Sequence, residues 1–278
     1  MRKLIITLVS LVALALVVDF GAATFTEYRV SRAIRHGASL GDDPAVTVSG
    51  FPFLTQVQGG TLDAVTVRAR NVPSEVVGQL LVETRFEGVH LPSSSWIIDT
   101  DAPMQVNRAE GRMIIGQTAL GQLLGVPDLE LSAPPSDKSD GTGGSGGAGL
   151  VNLGPAISAN AVLLTGTVQV GEDEKGPIRQ QVSVLARLLL VDDKVHIIPS
   201  AVYQPQAHDP ASTDEIIPTL DMAGPQFAAT INADDLPFGI TPTGVRASGS
   251  ELIIEGADED VTLQLGELLK LTPTPTVE

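Results

Sequence analysis

Cysteine is absent from the 278 residues, which removes disulfide frameworks, cysteine-ligated zinc, iron–sulfur clusters, thiol nucleophiles and the cysteine of a lipobox together. Histidine is nearly absent: only His36, His90, His196 and His208 occur, all too far apart to pair on one helix as metal ligands. Positive charge is short, with 17 Lys+Arg against 33 Asp+Glu and a net charge of −16, so the basic footprint that nucleic acid needs is missing. Aromatics are few, at one Trp, two Tyr and seven Phe. No cofactor and no metal site is implied.

What is present is aliphatic and rich in turns. Hydrophobic residues make up 43% of the chain, with 28 Gly and 19 Pro. The chain opens with Arg2-Lys3, a mostly apolar run from Leu4 to Val18, then Asp19-Phe20-Gly21-Ala22-Ala23. A basic start, an apolar core and small residues before Thr24 fit an export signal cleaved after Ala23. The same segment, continued through Phe20 to Phe25 with Asp19 inside it, fits an uncleaved membrane anchor. Both readings place the remainder outside the cytoplasmic membrane. Residues 24–37 then read as a short amphipathic helix stopped by Gly37, whose Arg29, Arg32 and Arg35 form a membrane-facing set or a solvated helix face.

From Val46 onward alternation dominates. Val65, Val67 and Ala69 share one face of an early strand while Arg68 and Arg70 share the other, and Val82, Thr84 and Phe86 alternate with Glu83, Arg85 and Glu87. Asn107 to Arg112 reads as a hairpin between Met104–Val106 and Met113–Ile115, and Thr118 to Leu124 as a short helix ended by Gly125. Residues 132–149 are mostly Gly, Ser and Pro and read as a flexible surface insertion between strands of one sheet, with a linker between two domains as the alternative. Long strands follow. Val162, Leu164, Val168 and Val170 lie on one face of the first, and Val182, Val184, Ala186 and Leu188 on one face of the second. Such strands suit the wall of an apolar tunnel or an ordinary sandwich core. Ser212 to Asn232 predicts the main helix of the second half, capped by Ser212 with Glu215 and kinked at Pro218 and Pro225. Residues 244–247, 251–255 and 261–265 read as strands, and 266–278 as a disordered tail. The expected class is α+β, mainly β, with a long curved antiparallel sheet around one or two helices. The expected layout is an anchor or signal over 1–23 and one domain over 24–265.

Searches for catalysis return little. Gly37-Ala38-Ser39-Leu40-Gly41 matches G-x-S-x-G but follows a helix rather than a buried strand. The glycine matches at 141–147 lie inside the insertion, with no strand before them. Asp99 with Asp101, Asp234 with Asp235, and Asp258 with Asp260 lack calcium-loop spacing. His90 and His196 have no nucleophile beside them. A carboxylate-pair glycosyl enzyme using Asp99 and Asp101 is the only catalytic reading, and no groove feature supports it.

One local phrase is more specific. Residues 46–56, Val-Thr-Val-Ser-Gly-Phe-Pro-Phe-Leu-Thr-Gln, precede Gly59-Gly60 and the strand Asp63 to Val67. Leu236-Pro237-Phe238-Gly239 comes later, and an export segment with an arginine-bearing helix comes first. In this order the chain resembles the LmeA-type phospholipid-binding proteins of actinobacterial cell envelopes, from about Asp19 to Leu265; the Gly/Ser-rich stretch at 132–149 departs from that pattern. The resemblance implies a tubular lipid-binding-like fold, a phospholipid partner of phosphatidylinositol type, contact with the membrane surface, and a role in maturing mannan-containing lipoglycans. On that basis Val162, Leu164, Val168, Val182, Val184, Ala186 and Leu188 are expected to wall the tunnel. Phe51, Phe53, Leu54 and Phe238 are expected to close it or to plug the core, and Arg68 and Arg70 to meet the headgroup. The alternative is an envelope scaffold that carries no lipid and uses its acidic second half to bind a protein partner.

Overall fold

The computed structural model describes residues 2–74, 77–91, 102–134, 160–173, 176–203, 217–233 and 240–263. The apolar N-terminal segment and the arginine-bearing stretch form one helix, α1 (Arg2–Gly37). No proline interrupts it, and at Gly21 a side chain would meet nothing within 4 Å, so this glycine is no packing break. The helix changes character at Asp19. Before it, the apolar side chains are exposed all round. After it, Val30, Ser31 and Ile34 recur at helical spacing on a buried face.

That face covers the edge of the first sheet. Strand β1 (Ala45–Ser49) is its edge strand, and Glu27 accepts a hydrogen bond from the Val48 amide at 2.8 Å while Ser31 Oγ donates to the Pro44 carbonyl at 2.6 Å. An edge strand left bare would offer unpaired amides to other chains, and the helix removes that liability. Helix α2 (Phe53–Gly59) follows, and Gly60 ends it in the left-handed conformation at φ 75°.

The first sheet is antiparallel throughout. Its order is β1, β2 (Thr61–Ser74), β3 (Gly78–His90), β4 (Met104–Gly116), β11 (Glu251–Leu263) and β10 (Pro242–Ser248). The second sheet runs β5 (Glu130–Ser132), β6 (Ala161–Asp173), β7 (Gly176–Val191), β8 (Lys194–Tyr203) and β9 (Ala229–Asn232). The chain leaves the first sheet at β5 and returns to it with β10 and β11. One continuous aliphatic core joins both sheets, with α3 (Gln117–Leu124) contributing Leu120 to it. The class is α+β and mainly β, as the alternation implies.

Three elements differ from the sequence reading. The expected hairpin at Asn107–Arg112 is the middle of β4. Its polar residues lie on the outer face, where Arg108 pairs with Glu110 at 2.9 Å and Arg112 with Glu255 at 3.3 Å, while Ala109 and Gly111 face the core. Cross-strand charge, not a turn, explains that polar run. The expected long helix over 212–232 is, within the described residues, one turn of α4 (Leu220–Ala223), a 3-10 turn (Gly224–Phe227) and β9. Pro225 has no amide for an α-helical ladder, and the Thr230 and Ile231 that seemed to continue the helix pair with His196 and Val195 of β8 instead. In the same way, 251–255 and the start of 261–265 are one strand, β11.

Among the described residues, β5 pairs only with Leu163 to Thr165 of the β6 edge, and side chains bond to the backbone further along it. Asp128 accepts from the Thr167 amide, and Gln226 accepts from the Gln169 amide at 3.0 Å while donating to its carbonyl at 2.8 Å. Backbone groups that a longer neighbour would satisfy are thus satisfied locally.

Candidate functional site

The seven residues expected to wall a tunnel share one face of the second sheet. The register sets Val162 opposite Ala186 and Leu164 opposite Val184, with Gly166 opposite Val182. Opposed residues in an antiparallel pair point to the same side, and Val162, Leu164, Val168, Val182, Val184, Ala186 and Leu188 are all buried in the shared core. These seven side chains carry no donor or acceptor, so their only chemistry is apolar contact; Gln180, half-buried and in register with Val168, brings an amide to one end of the face.

The opposing sheet supplies one exception. Thr84 of β3 points inward, opposite Val67 on one side and Gly111 on the other. Its hydroxyl is buried and has no hydrogen-bond partner among the described residues. Such a group costs about 1–3 kcal/mol unless something bonds to it. Ile240 lies over Gly111, where an added Cβ would come within 2.9 Å of Ile240 Cδ1.

A cleft of about 590 Å³ opens at the far end of the first sheet, where β2 turns into β3 and α3 departs. Its lining brings Arg70 and Asn71 of β2 together with Gln79, Gln122 and Glu251 above the apolar Leu81 and Ile114. A bulge between Ala69 and Val72 makes this possible, with Asn71 at φ 54°. Asparagine tolerates that conformation better than most residues. Arg70 is therefore at a mixed polar and apolar cleft, whereas Arg68 is an exposed outer-face residue in register with Glu83. The polar partners Gln79, Gln122 and Glu251 come from three separate elements, and no spacing in the sequence signals them.

The aromatic residues near Gly50 divide. Phe53 is buried under α2 and Leu54 is half-buried, so both contribute to the interior. Phe51 is on the outside, its ring stacked on Phe20 of α1 with centroids 5.9 Å apart, so it does not plug the core. Phe238 lies outside the described residues. Asp19 sits beneath this pair, 6% exposed, and its two oxygens accept the Phe53 and Leu54 amides at 2.9 and 2.8 Å. Pro52, at the N-cap, gives α2 no side-chain acceptor of its own, so a residue 34 positions earlier does so. Higher on α1, Arg29 is exposed, Arg32 lies over the Tyr28 ring at 5.6 Å, and Arg35 pairs with Asp43 at 3.2 Å.

The catalytic alternatives gain nothing from the geometry. Asp99, Asp101, Asp234 and Asp235 lie outside the described residues. Asp258 accepts the Thr241 amide at 2.7 Å, a structural bond between β11 and the segment entering β10. The exposed His90 faces the Gly88 carbonyl, and the half-buried His196 faces the Thr230 hydroxyl. Among the described residues no three His, Asp or Glu side chains are grouped as metal ligands. Among the described residues, two ionisable groups are displaced from their ordinary values. The Thr167 hydroxyl and amide hold the Asp128 carboxyl down, and Glu110 beside Arg108 raises the guanidinium.

A family model described as LmeA-like phospholipid-binding matches residues 17–257. No curated protein and no solved structure matches the chain. The family match covers most of the chain, and the protein belongs to the LmeA-like phospholipid-binding family.

Proposed function

We propose that this member of the LmeA-like phospholipid-binding family holds the acyl chains of a diacyl phospholipid between its two sheets, on the outer side of the cytoplasmic membrane. The observation that carries the reading is the run of seven buried aliphatic side chains on the inner face of β6 and β7, which offers an acyl chain apolar contact, with Gln180 at one end of it. Each methylene moved into apolar surroundings is worth about 0.8 kcal/mol, so most of a chain must be enclosed before uptake balances departure from the bilayer. The seven wall residues pack against the protein's own core, and loading exchanges those contacts for acyl contacts as the sheets part. The orphaned Thr84 hydroxyl fits this account, because an ester carbonyl would give it the acceptor it lacks.

Arg70, in its cleft, is the candidate for an anionic headgroup, with Gln79 and Gln122 as donors to inositol-type hydroxyls; Arg68 is the weaker choice. Arg29, Arg32 and Arg35 would face the membrane surface. Holding a phosphatidylinositol-type lipid would suit a role in maturing mannan-containing lipoglycans, with no catalytic step assigned to this chain. The test is organic extraction of full-length protein purified in detergent, followed by mass spectrometry. Diacyl phospholipid in near-stoichiometric amount is expected. Protein that yields none, and takes up none from phosphatidylinositol vesicles, would be an envelope scaffold instead.

A further inference from the structure

We infer that α1 is retained as a membrane anchor and that the Phe51-Pro52 tip of the folded domain is embedded in the outer leaflet beside it. The inference concerns attachment rather than cargo and rests only on the reading that the N-terminal segment enters a membrane.

The argument begins with the charge at Asp19. A carboxylate within an apolar segment is costly in hydrocarbon, and taken alone it would limit the span to Leu4–Val18, about 22 Å at helical rise. That is short of the roughly 30 Å hydrocarbon layer. In the folded chain the carboxylate is turned into the domain and bonded to two α2 amides. The outward side of the helix at that level instead carries Phe20, 63% exposed, and further up Phe25, 61% exposed. From Leu4 to Phe25 the exposed side of α1 therefore carries no charge and, apart from Thr7, Ser10 and Thr24, is apolar for about 33 Å, which matches the layer. Tyr28 and then Arg29 follow on the exposed side, the order of residues found where a span leaves the hydrocarbon.

This level fixes the domain. Phe51 stacks on Phe20, about five residues below Phe25, so its ring lies roughly 7 Å inside the apolar boundary by helical rise. The 59% exposed Phe51 then faces lipid rather than water, at the depth where interfacial apolar side chains rest. Cleavage after Ala23 would remove Asp19 and Phe20 together. It would leave two amides of α2 without their acceptor and Phe51 without its partner, and would strip Ala22 and Ala23 from the core they pack against.

Two measurements test this on the full chain. Intact mass of protein recovered from membranes of an exporting cell should be that of the whole 29.0 kDa chain; a chain beginning at Thr24, or a full-length chain recovered as soluble protein, overturns the proposal. Phe51→Trp protein is then reconstituted in phosphatidylcholine and phosphatidylglycerol vesicles, with or without brominated acyl chains. The emission added over the parent, which has its own single Trp, should be roughly halved by bromine. Phe20→Trp reports the same level should the first variant fold poorly. Added emission at both positions indifferent to bromine overturns the docking. Neither readout depends on cargo: protein yielding no extractable lipid still shows the quench if the tip is embedded, and loaded protein without it keeps its cargo while the docking falls.

Discussion

Gly166 of β6 lies directly beneath Val126: a Cβ added at Gly166 would come 2.3 Å from Val126 Cγ1. Val126 is 2% exposed and belongs to the shared core, so it has little room to move aside. The loop after α3 crosses the second sheet at this point because β6 offers no side chain there. Gly166→Ala is expected to destabilise the protein by about 1–3 kcal/mol, the usual range for overpacking. Denaturant melts of Gly166→Ala, Val126→Ala and the double variant check it. The double variant should recover much of the loss, because the two sites are in contact and their effects do not add.

Next to this crossing, Asp128 serves the same edge of β6 through charge. Its carboxyl accepts the Thr167 hydroxyl at 2.6 Å and the Thr167 amide at 3.0 Å, and these bonds hold its pKa below the ordinary carboxylate value. A carboxyl depressed in the folded state stabilises the fold at pH values above its unfolded pKa, about 3.9, and that contribution is lost as pH falls through the folded value. The stability difference between the parent and Asp128→Asn should thus be largest near neutrality and shrink toward zero in acid. Melts of both proteins at matched pH values measure it, and a difference that grows on acidification would contradict the assignment.

Asp19 makes a comparable contact in a buried setting, and its loss should be local. Asp19→Ala leaves the Phe53 and Leu54 amides at the start of α2 unsatisfied, a cost of about 1–3 kcal/mol. Hydrogen exchange in detergent micelles should show faster exchange at those two amides, with the β6 and β7 amides unchanged. Asp19→Asn, which keeps one acceptor oxygen, should fall between parent and Ala.

The contrast between these contacts and the strands shows what the sequence made readable. Alternation gave the two faces of β2, β3, β6 and β7 because a period of two is written in consecutive residues. The pairing of Leu164 with Val184 follows from that period once the strands are adjacent. Local signals gave α3 and its stop at Gly125, which takes the left-handed conformation at φ 70°. Reading failed where a distant partner decides. Asp19 looked like a flaw in an apolar run because its partners are more than thirty positions away. The polar stretch 107–112 looked like a turn because Glu87, Glu255 and Glu259, which neighbour it, were out of view. Pro218, Pro225 and the spacing of Ile216, Leu220, Ala223, Phe227 and Ile231 suggested a kinked helix, yet the open edge of β8 recruits Ala229 to Asn232 as a strand. The Arg70 cleft could not be foreseen at all, since a bulge and three separate elements build it.

The most informative change for lipid binding is at Thr84, because folding and loading should respond to it in opposite directions. Val is close to Thr in shape and removes the hydroxyl that has no partner among the described residues. If the interior were simply core, Thr84→Val would stabilise the protein by about 1–2 kcal/mol, the relief of an unsatisfied buried group, and nothing else would change. If the hydroxyl meets a lipid oxygen, the lipid-free protein is stabilised by the same amount while retention of diacyl lipid falls roughly five- to ten-fold, the equivalent of one hydrogen bond of about 1–1.4 kcal/mol. Phosphatidylinositol transfer from vesicles, measured beside thermal melts of extracted protein, separates the two. Leu188→Asp supplies the reference at the opposite wall: a carboxylate placed at that fully buried position should abolish loading. Unfolding of that variant, with Thr84→Val retaining lipid as the parent does, would return the whole interior to the status of an ordinary core.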